Sequence, residues 1–216
     1  MPIAGAKGYV IVVLSPLRVG RSQADDRDHL PANLMIERIH PYPPLQREQY
    51  RNCILYRRWK KRYRGTRLFE EVSAVERTTG QLPVKWPPPK HIFGFGELFL
   101  GIHYLNCGYK VMLDHWGRRW KAPSYLDALQ ILGKEAANLI CQSHPQPPDL
   151  FVVDQQNRFF FVEVKLLGDK LNEKQILFFK KIERYLDKNM PKNRRAPCMA
   201  EGHWIELVRL KPEQRT

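Results

Sequence analysis

Asp149 opens the stretch PDLFVVDQQNRFFFVEVKLLGDKLNEKQ (residues 148–175), in which Glu163 and Lys165 stand two apart. Val152, Val153 and residues 159–164 are β-branched or aromatic, and the polar residues 155–158 between them read as a turn joining two strands. In the second strand Phe160, Val162, Val164 and Leu166 share one face, and Phe161, Glu163 and Lys165 share the other. A carboxylate and an ammonium thus project side by side from an apolar strand, which is costly without a purpose. Register decides whether Asp149 joins them. If Gln155, Gln156 and Asn157 form a three-residue loop, Asp154 opposes Arg158 and Asp149 opposes Glu163. Asn suits the left-handed position that closes such a loop. A loop one residue longer sets Asp149 against Val164 instead. In the convergent register, Asp149 and Glu163 offer hard oxygen ligands to a Mg²⁺-type ion, which keeps several waters and can bind phosphate. Lys165 would then orient water or neutralise charge developing on phosphoryl oxygens.

The order Pro148-Asp149, then Glu163-Val164-Lys165, resembles the PD-(D/E)XK nuclease superfamily. Its continuation, Gly168-Asp169-Lys170-Leu171 with Gln175, is similar to the VRR-NUC branch, which includes the nuclease domain of Fanconi-associated nuclease. The resemblance implies a restriction-endonuclease-like α/β core with a central mixed sheet flanked by helices. It also implies Mg²⁺ or Mn²⁺ held by Asp149, Glu163 and the Val164 backbone carbonyl, with Lys165 placing or activating water. The implied reaction is hydrolysis of DNA phosphodiesters, with a flap, fork or Holliday junction as the favoured substrate. A restriction-type or defence endonuclease on linear DNA is one alternative. A non-catalytic nucleic-acid-binding module that keeps the nuclease fold is another. RNA stays open as a substrate, and a symmetric junction would suit a homodimer with two active sites.

Three residues carry double readings. Glu97, in the first turn of a helix before the first core strand, is similar to a superfamily Glu that points at the site and acts through a metal-bound water. It could equally offset the helix dipole. Gln175 stands where the branch has a Gln, yet Asn172-Glu173-Lys174-Gln175 is also a capping box. Lys170 either touches a phosphate or is a plain turn residue.

The elements that must position these groups follow from pattern. Residues 8–14 read as a buried strand, residues 34–39 as a short one and 204–210 as the last. Residues 109–113 form another, after a helix that opens at residue 95 and ends at Gly108. A helix with Ser124 as N-cap runs on through Ile140 with a continuous apolar face, and a further helix spans residues 173–188. In that last helix Lys174, Lys181 and Lys188 fall outside the core stripe. From residue 45 to 78 the pattern is helical. Within it nine basic residues from Arg47 to Arg67, among them Arg57, Arg58, Lys60, Lys61, Arg62 and Arg64, face one acid, Glu48. Tyr56, Trp59 and Tyr63 recur at helical spacing. These cations would track phosphates, with the aromatics either buried in the core or stacking as anchors.

The chain has 216 residues, 43% hydrophobic and 27% charged, with net charge +14. That balance calls for a polyanionic partner, nucleic acid ahead of an anionic membrane surface. Residues 80–90 are proline-rich, and they separate an expected basic N-terminal extension (1–90) from the nuclease core (91–216). The alternative is that the first part adds a strand and helix to one continuous domain. Cys53, Cys107, Cys141 and Cys198 have no paired spacing, so disulfide and zinc-ribbon frameworks are not expected and the compartment is read as intracellular and reducing. No apolar run is long enough for a membrane span.

Overall fold

The loop between the two strands that carry Asp149 and Glu163 is three residues long. Asn157 takes φ 58°, its amide donates to the Asp154 carbonyl, and the Asp154 amide donates to the Arg158 carbonyl. The Asp154 side chain reinforces the turn, accepting from the Gln156 and Arg158 amides at 2.9 and 2.8 Å. Asn tolerates the left-handed conformation better than most residues. The flanking strands therefore pair from Leu150↔Val162 to Val153↔Phe159, and Asp149 falls opposite Glu163.

The computed structural model describes residues 11–12, 36–79, 94–113, 123–142 and 147–214. The strands are β1 (Ile11–Val12), β2 (Ile36–Tyr42), β3 (Lys110–Leu113), β4 (Leu150–Val153), β5 (Phe159–Leu166) and β6 (Ile205–Pro212). The helices are α1 (Pro44–Arg51), α2 (Ile54–Arg62), α3 (Arg67–Thr79), α4 (Phe95–Asn106), α5 (Pro123–Leu132), α6 (Lys134–Gln142) and α7 (Glu173–Asn189). They build one mixed sheet in the order β1-β2-β6-β5-β4-β3. β6 runs parallel to β2 on one side and β5 on the other, and the remaining pairs are antiparallel.

β5 is central and covered on both faces. Phe160, Val162 and Val164 enter one core with α1 to α4. Phe159 and Phe161 enter the other with α5, α6 and α7. Phe159, Phe160 and Phe161 are each at most 1% exposed. Burying each contributes roughly 1.5–3 kcal/mol, so this strand is a principal source of stability.

Residues 36–79 belong to this same body. β2 pairs with β6 from Ile36↔Glu206 to Tyr42↔Pro212, and Tyr50, Tyr56, Trp59, Leu68, Phe69 and Val72 lie in the core beneath α4. The boundary expected at residue 90 therefore does not separate two cores; the connector around it lies outside the described residues. The helical stretch expected over 45–78 is three helices rather than one. Cys53, at φ 61°, turns the chain between α1 and α2. The aromatics of α2 face inward, Tyr56 at 0% and Trp59 at 8% exposure, and leave the cations outside.

The helix expected to run through Ile140 breaks at Gly133, where φ is 80°. A residue without Cβ adopts that conformation at little cost, and the apolar pattern resumes beyond it as α6. Ser124 lies inside α5 rather than at its cap. β2 and β6 extend past their expected ends because they pair with each other. Within the run 8–14, only Ile11–Val12 is described as strand.

Candidate active site

The convergent register brings three charged groups to the exit of β5. The Val164 amide donates to Asp149 Oδ2 at 2.8 Å, drawing the Asp149 side chain across the strand pair. Glu163 is 1% exposed, and its Oε1 accepts from Lys165 Nζ at 2.5 Å and from Gln175 Nε2 at 3.0 Å. Both readings of Gln175 hold at once. Its backbone amide donates to Asn172 Oδ1 and its Oε1 accepts from the Asn172 amide, completing the capping box. The same amide group spends its nitrogen on Glu163.

The partners of this pair differ from those of the other buried acids, although burial raises Glu206 as well. Glu71 accepts from the Leu113 amide, Glu183 from the Trp204 and Ile205 amides, and Glu206 meets Arg38 and Tyr104. Those partners hold the fold together. Asp149 instead has its pKa pushed well up, first by burial and then by the charges of Glu163 and Glu97. Burial raises Glu163 too, against the pull of Lys165 and Gln175. Burial alone would lower Lys165, but Glu163, Asp149 and Glu97 outweigh it and hold the ammonium above its usual range. Lys165 therefore stays protonated near neutral pH and is suited to holding charge or water rather than accepting a proton.

Glu97, on the first turn of α4, acts on this group through its charge, and its carboxylate lies back against Gly94 at the helix start. Close packing of α4 makes this possible. A Cβ on Gly96 would lie 2.8 Å from Val164 Cγ1 and 3.2 Å from Leu210 Cδ1, so only glycine lets the helix sit this low on β5 and β6. Tyr42, Tyr50 and Trp59 surround the Phe95 ring, with centroids 5.1, 5.6 and 6.4 Å away, and fix the same helix end from outside. Gly96→Ala should push α4 outward at about 1–3 kcal/mol, lowering the melting temperature by roughly 2–4 °C per kcal/mol. Calorimetry tests this; an unchanged melting temperature would show that α4 need not sit so close.

Sequence reading missed the contribution of β2 and β6. Arg209 stands beside Lys165 in the β5–β6 register. Its Nε donates to Glu37 Oε1 at 2.7 Å, and its guanidinium also donates to the Asp169 carbonyl. It thereby ties the turn after β5, and the α7 start that carries Gln175, to the sheet. The parallel pairing that brings Glu37 to Arg209 leaves no local trace in sequence.

The candidate nucleic-acid contacts divide. Arg57, Arg58, Lys61 and Arg64 are exposed and form no ion pair among the described residues. Lys60 pairs with Glu76, and the Arg62 guanidinium lies over the Tyr63 ring at 5.4 Å. Lys170 is exposed in the turn before α7. His103 and Cys107, a conceivable metal pair by spacing, are 4.0 Å apart (Nε2 to Sγ), and His40 packs edge-on against His103. Burial drives His40 down to about 4, which keeps it a neutral packing ring.

The donors at Asp149 and Glu163 are the hard oxygens that Mg²⁺ and Mn²⁺ take. Among the described residues no group of three or more His, Cys, Asp or Glu is arranged to hold a metal. A cation here would draw on both carboxylates and the Val164 carbonyl, leaving other positions to water and phosphate. Its charge would offset the burial and repulsion that raise Asp149, so the residues fit the ion.

An α/β body with a mixed sheet flanked by helices, and acids converging with a lysine at one strand end, is the restriction-endonuclease-like class. Residues 109–191 match the family model of the VRR-NUC domain. The match is consistent with the VRR-NUC branch of the PD-(D/E)XK nuclease superfamily. A domain of this kind is a nuclease domain and acts on DNA. No curated protein and no solved structure matches the chain. The matched stretch holds Asp149, Glu163, Lys165 and Gln175; Glu97 and residues 36–79 lie outside it. No helix among the described residues is long and apolar enough to cross a membrane.

Proposed function

We propose that this protein is a divalent-metal-dependent nuclease that hydrolyses DNA phosphodiester bonds, with branched DNA (a flap, fork or Holliday junction) as its substrate. The observation that carries the reading is the register of the β4–β5 hairpin, which sets Asp149 against Glu163 with Lys165 Nζ 2.5 Å from Glu163. Asp149, Glu163 and the Val164 carbonyl would hold Mg²⁺ or Mn²⁺, which supplies Lewis acidity toward the phosphodiester. Lys165, kept protonated by its acidic neighbours, neutralises charge on the phosphoryl oxygens and orients the attacking water. Gln175 fixes the Glu163 carboxylate through Oε1, the oxygen that Lys165 also meets. Glu97 adds negative charge at the mouth of the site, where it can hold a water. The exposed cations of α2, held beside the α4 end by Trp59, supply phosphate contacts that are independent of base sequence.

Purified protein incubated with linear duplex, single-stranded, flap and four-way-junction DNA and with RNA, in Mn²⁺ or EDTA, tests this. Cleavage should require the metal, prefer branched DNA and vanish in Glu163→Ala and Lys165→Ala while binding persists. Product surviving both substitutions would refute the assignment. Strong salt-dependent binding without cleavage in either metal would leave only a nucleic-acid-binding module.

The pH dependence has a definite sign. Raised carboxylate pKa values mean that both acids ionise later than the ordinary value of about 4. The rate should rise with pH through a midpoint above that range. The midpoint should move to lower pH as Mn²⁺ increases, because the cation competes with the proton. A midpoint indifferent to Mn²⁺ would mean that the titrating acids are not the ligands.

A further inference from the structure

The outer face of α7 has no assigned role. Phe178, Phe179, Ile182 and Leu186 face the core, and Gln175 in the first turn touches Glu163. Lys174, Lys181, Arg184 and Lys188 are exposed and form no ion pair among the described residues. Of the acids on this helix, Glu183 turns inward to the Trp204 and Ile205 amides, Asp187 pairs with Arg195 at 3.5 Å, and Glu173 lies exposed in the first turn beside Lys174.

An ordinary solvated helix places acids four residues from its cations, because that spacing stabilises it. Here the i,i+4 neighbours Lys180, Arg184 and Lys188 are all basic, an arrangement that costs helix stability. A polyanion laid along the helix would offset that cost. At 1.5 Å per residue, the run from Lys174 to Lys188 extends about 21 Å. That faces about six base pairs at 3.4 Å each.

Another helix with exposed cations, α2, packs on the opposite face of the sheet, since its aromatics belong to the core beneath α4 while α7 belongs to the second core. Both helices have one end near the candidate site. α2 packs Trp59 on Phe95, two residues before Glu97, and α7 begins at Gln175. A sheet with a helix layer on each side separates their outer faces by more than the ~12 Å of one major groove. A straight duplex that lies along one track does not lie along the other.

We propose that the α7 face is a second phosphate-binding track, which takes one duplex arm of a branched DNA while α2 takes another, so that the branch point lies at the site. This rests on the nuclease reading for the meaning of the site, but its test does not require cleavage. Exposed Leu177, at 58%, sits within the stripe and would suit an anionic membrane as well. The DNA reading is favoured because the same helix begins on the catalytic carboxylate.

The test measures Kd against salt in EDTA for the full chain, with a linear duplex and a four-way junction of equal arm sequence. Vesicles containing phosphatidylserine form a third arm. For the unaltered protein the slope of log K on log salt should be steeper with the junction than with the linear duplex. The quadruple variant K174A/K181A/R184A/K188A, with its helix content checked by circular dichroism, should lose about 3–4 units of junction slope. That brings it to the linear value, which itself changes little. A junction slope that the variant does not alter, or an equal loss on both DNAs, would overturn the two-track proposal. So would a loss confined to the vesicles. If the α7 prediction holds and no DNA is cut with Mn²⁺, the nuclease reading fails while the second track stands.

Discussion

Asp149→Asn should make the protein more stable and, at the same time, inactive. The Asp149 pKa in the folded state lies well above its ordinary value because burial, Glu163 and Glu97 all oppose its charge. The folded state therefore holds a proton more tightly than the unfolded one. Stability is full in acid and declines as pH rises from about 4 through the raised value. Asparagine imitates the protonated form and can still accept the Val164 amide, so the decline disappears. In EDTA at neutral pH the melting temperature should rise, by about 2–4 °C for each kcal/mol of charge burial relieved. Cleavage should fall by ~10²–10³ or more, the scale for losing one preorganised electrostatic group. Scanning calorimetry and single-turnover cleavage check the two halves. A drop in melting temperature would show that the Asp149 charge is stabilising, and the electrostatic account of the site would be wrong.

The second large effect concerns the N-terminal part. A chain beginning at residue 91 should not fold. Without β2, the parallel edge of β6 from Glu206 to Pro212 is left unpaired. The core beneath α4 would also lose Tyr42, Tyr50, Leu55, Tyr56, Trp59, Leu68, Phe69 and Val72, each at most 8% exposed. At roughly 1.5–3 kcal/mol apiece, that loss is comparable to or larger than the ~5–15 kcal/mol by which a domain is stable. The shortened chain should be insoluble or show no dispersed amide proton spectrum. A well-dispersed spectrum from residues 91–216 would mean that the N-terminal part is an appendage after all.

These two expectations mark where sequence reading reached and where it stopped. The hairpin was legible because its determinants are local. Loop length fixes register, Asn157 supplies the left-handed residue, and alternation puts Glu163 and Lys165 on one face. The capping box was legible for the same reason, although its second duty toward Glu163 depends on where α7 lands. By contrast, β2 and β6 meet across most of the chain, and neither carries a mark naming its partner. The Glu37–Arg209 tie and the ring of Tyr42, Tyr50 and Trp59 around Phe95 follow from that pairing and were hidden with it. The turn at Cys53 lacks the glycine that would have announced it. Gly133 did announce its break, but apolar spacing continued across it and the helix was read through.

The most direct measurement is Mn²⁺ binding by isothermal titration calorimetry to the unaltered chain, Asp149→Asn and Glu163→Gln, with no DNA present. The account predicts one class of site in the unaltered protein, proton release on binding that grows as pH falls toward the raised carboxylate range, and affinity at least about tenfold weaker in each variant. Equal Mn²⁺ affinity in all three proteins would contradict it, because the two carboxylates would then not be the cation's ligands.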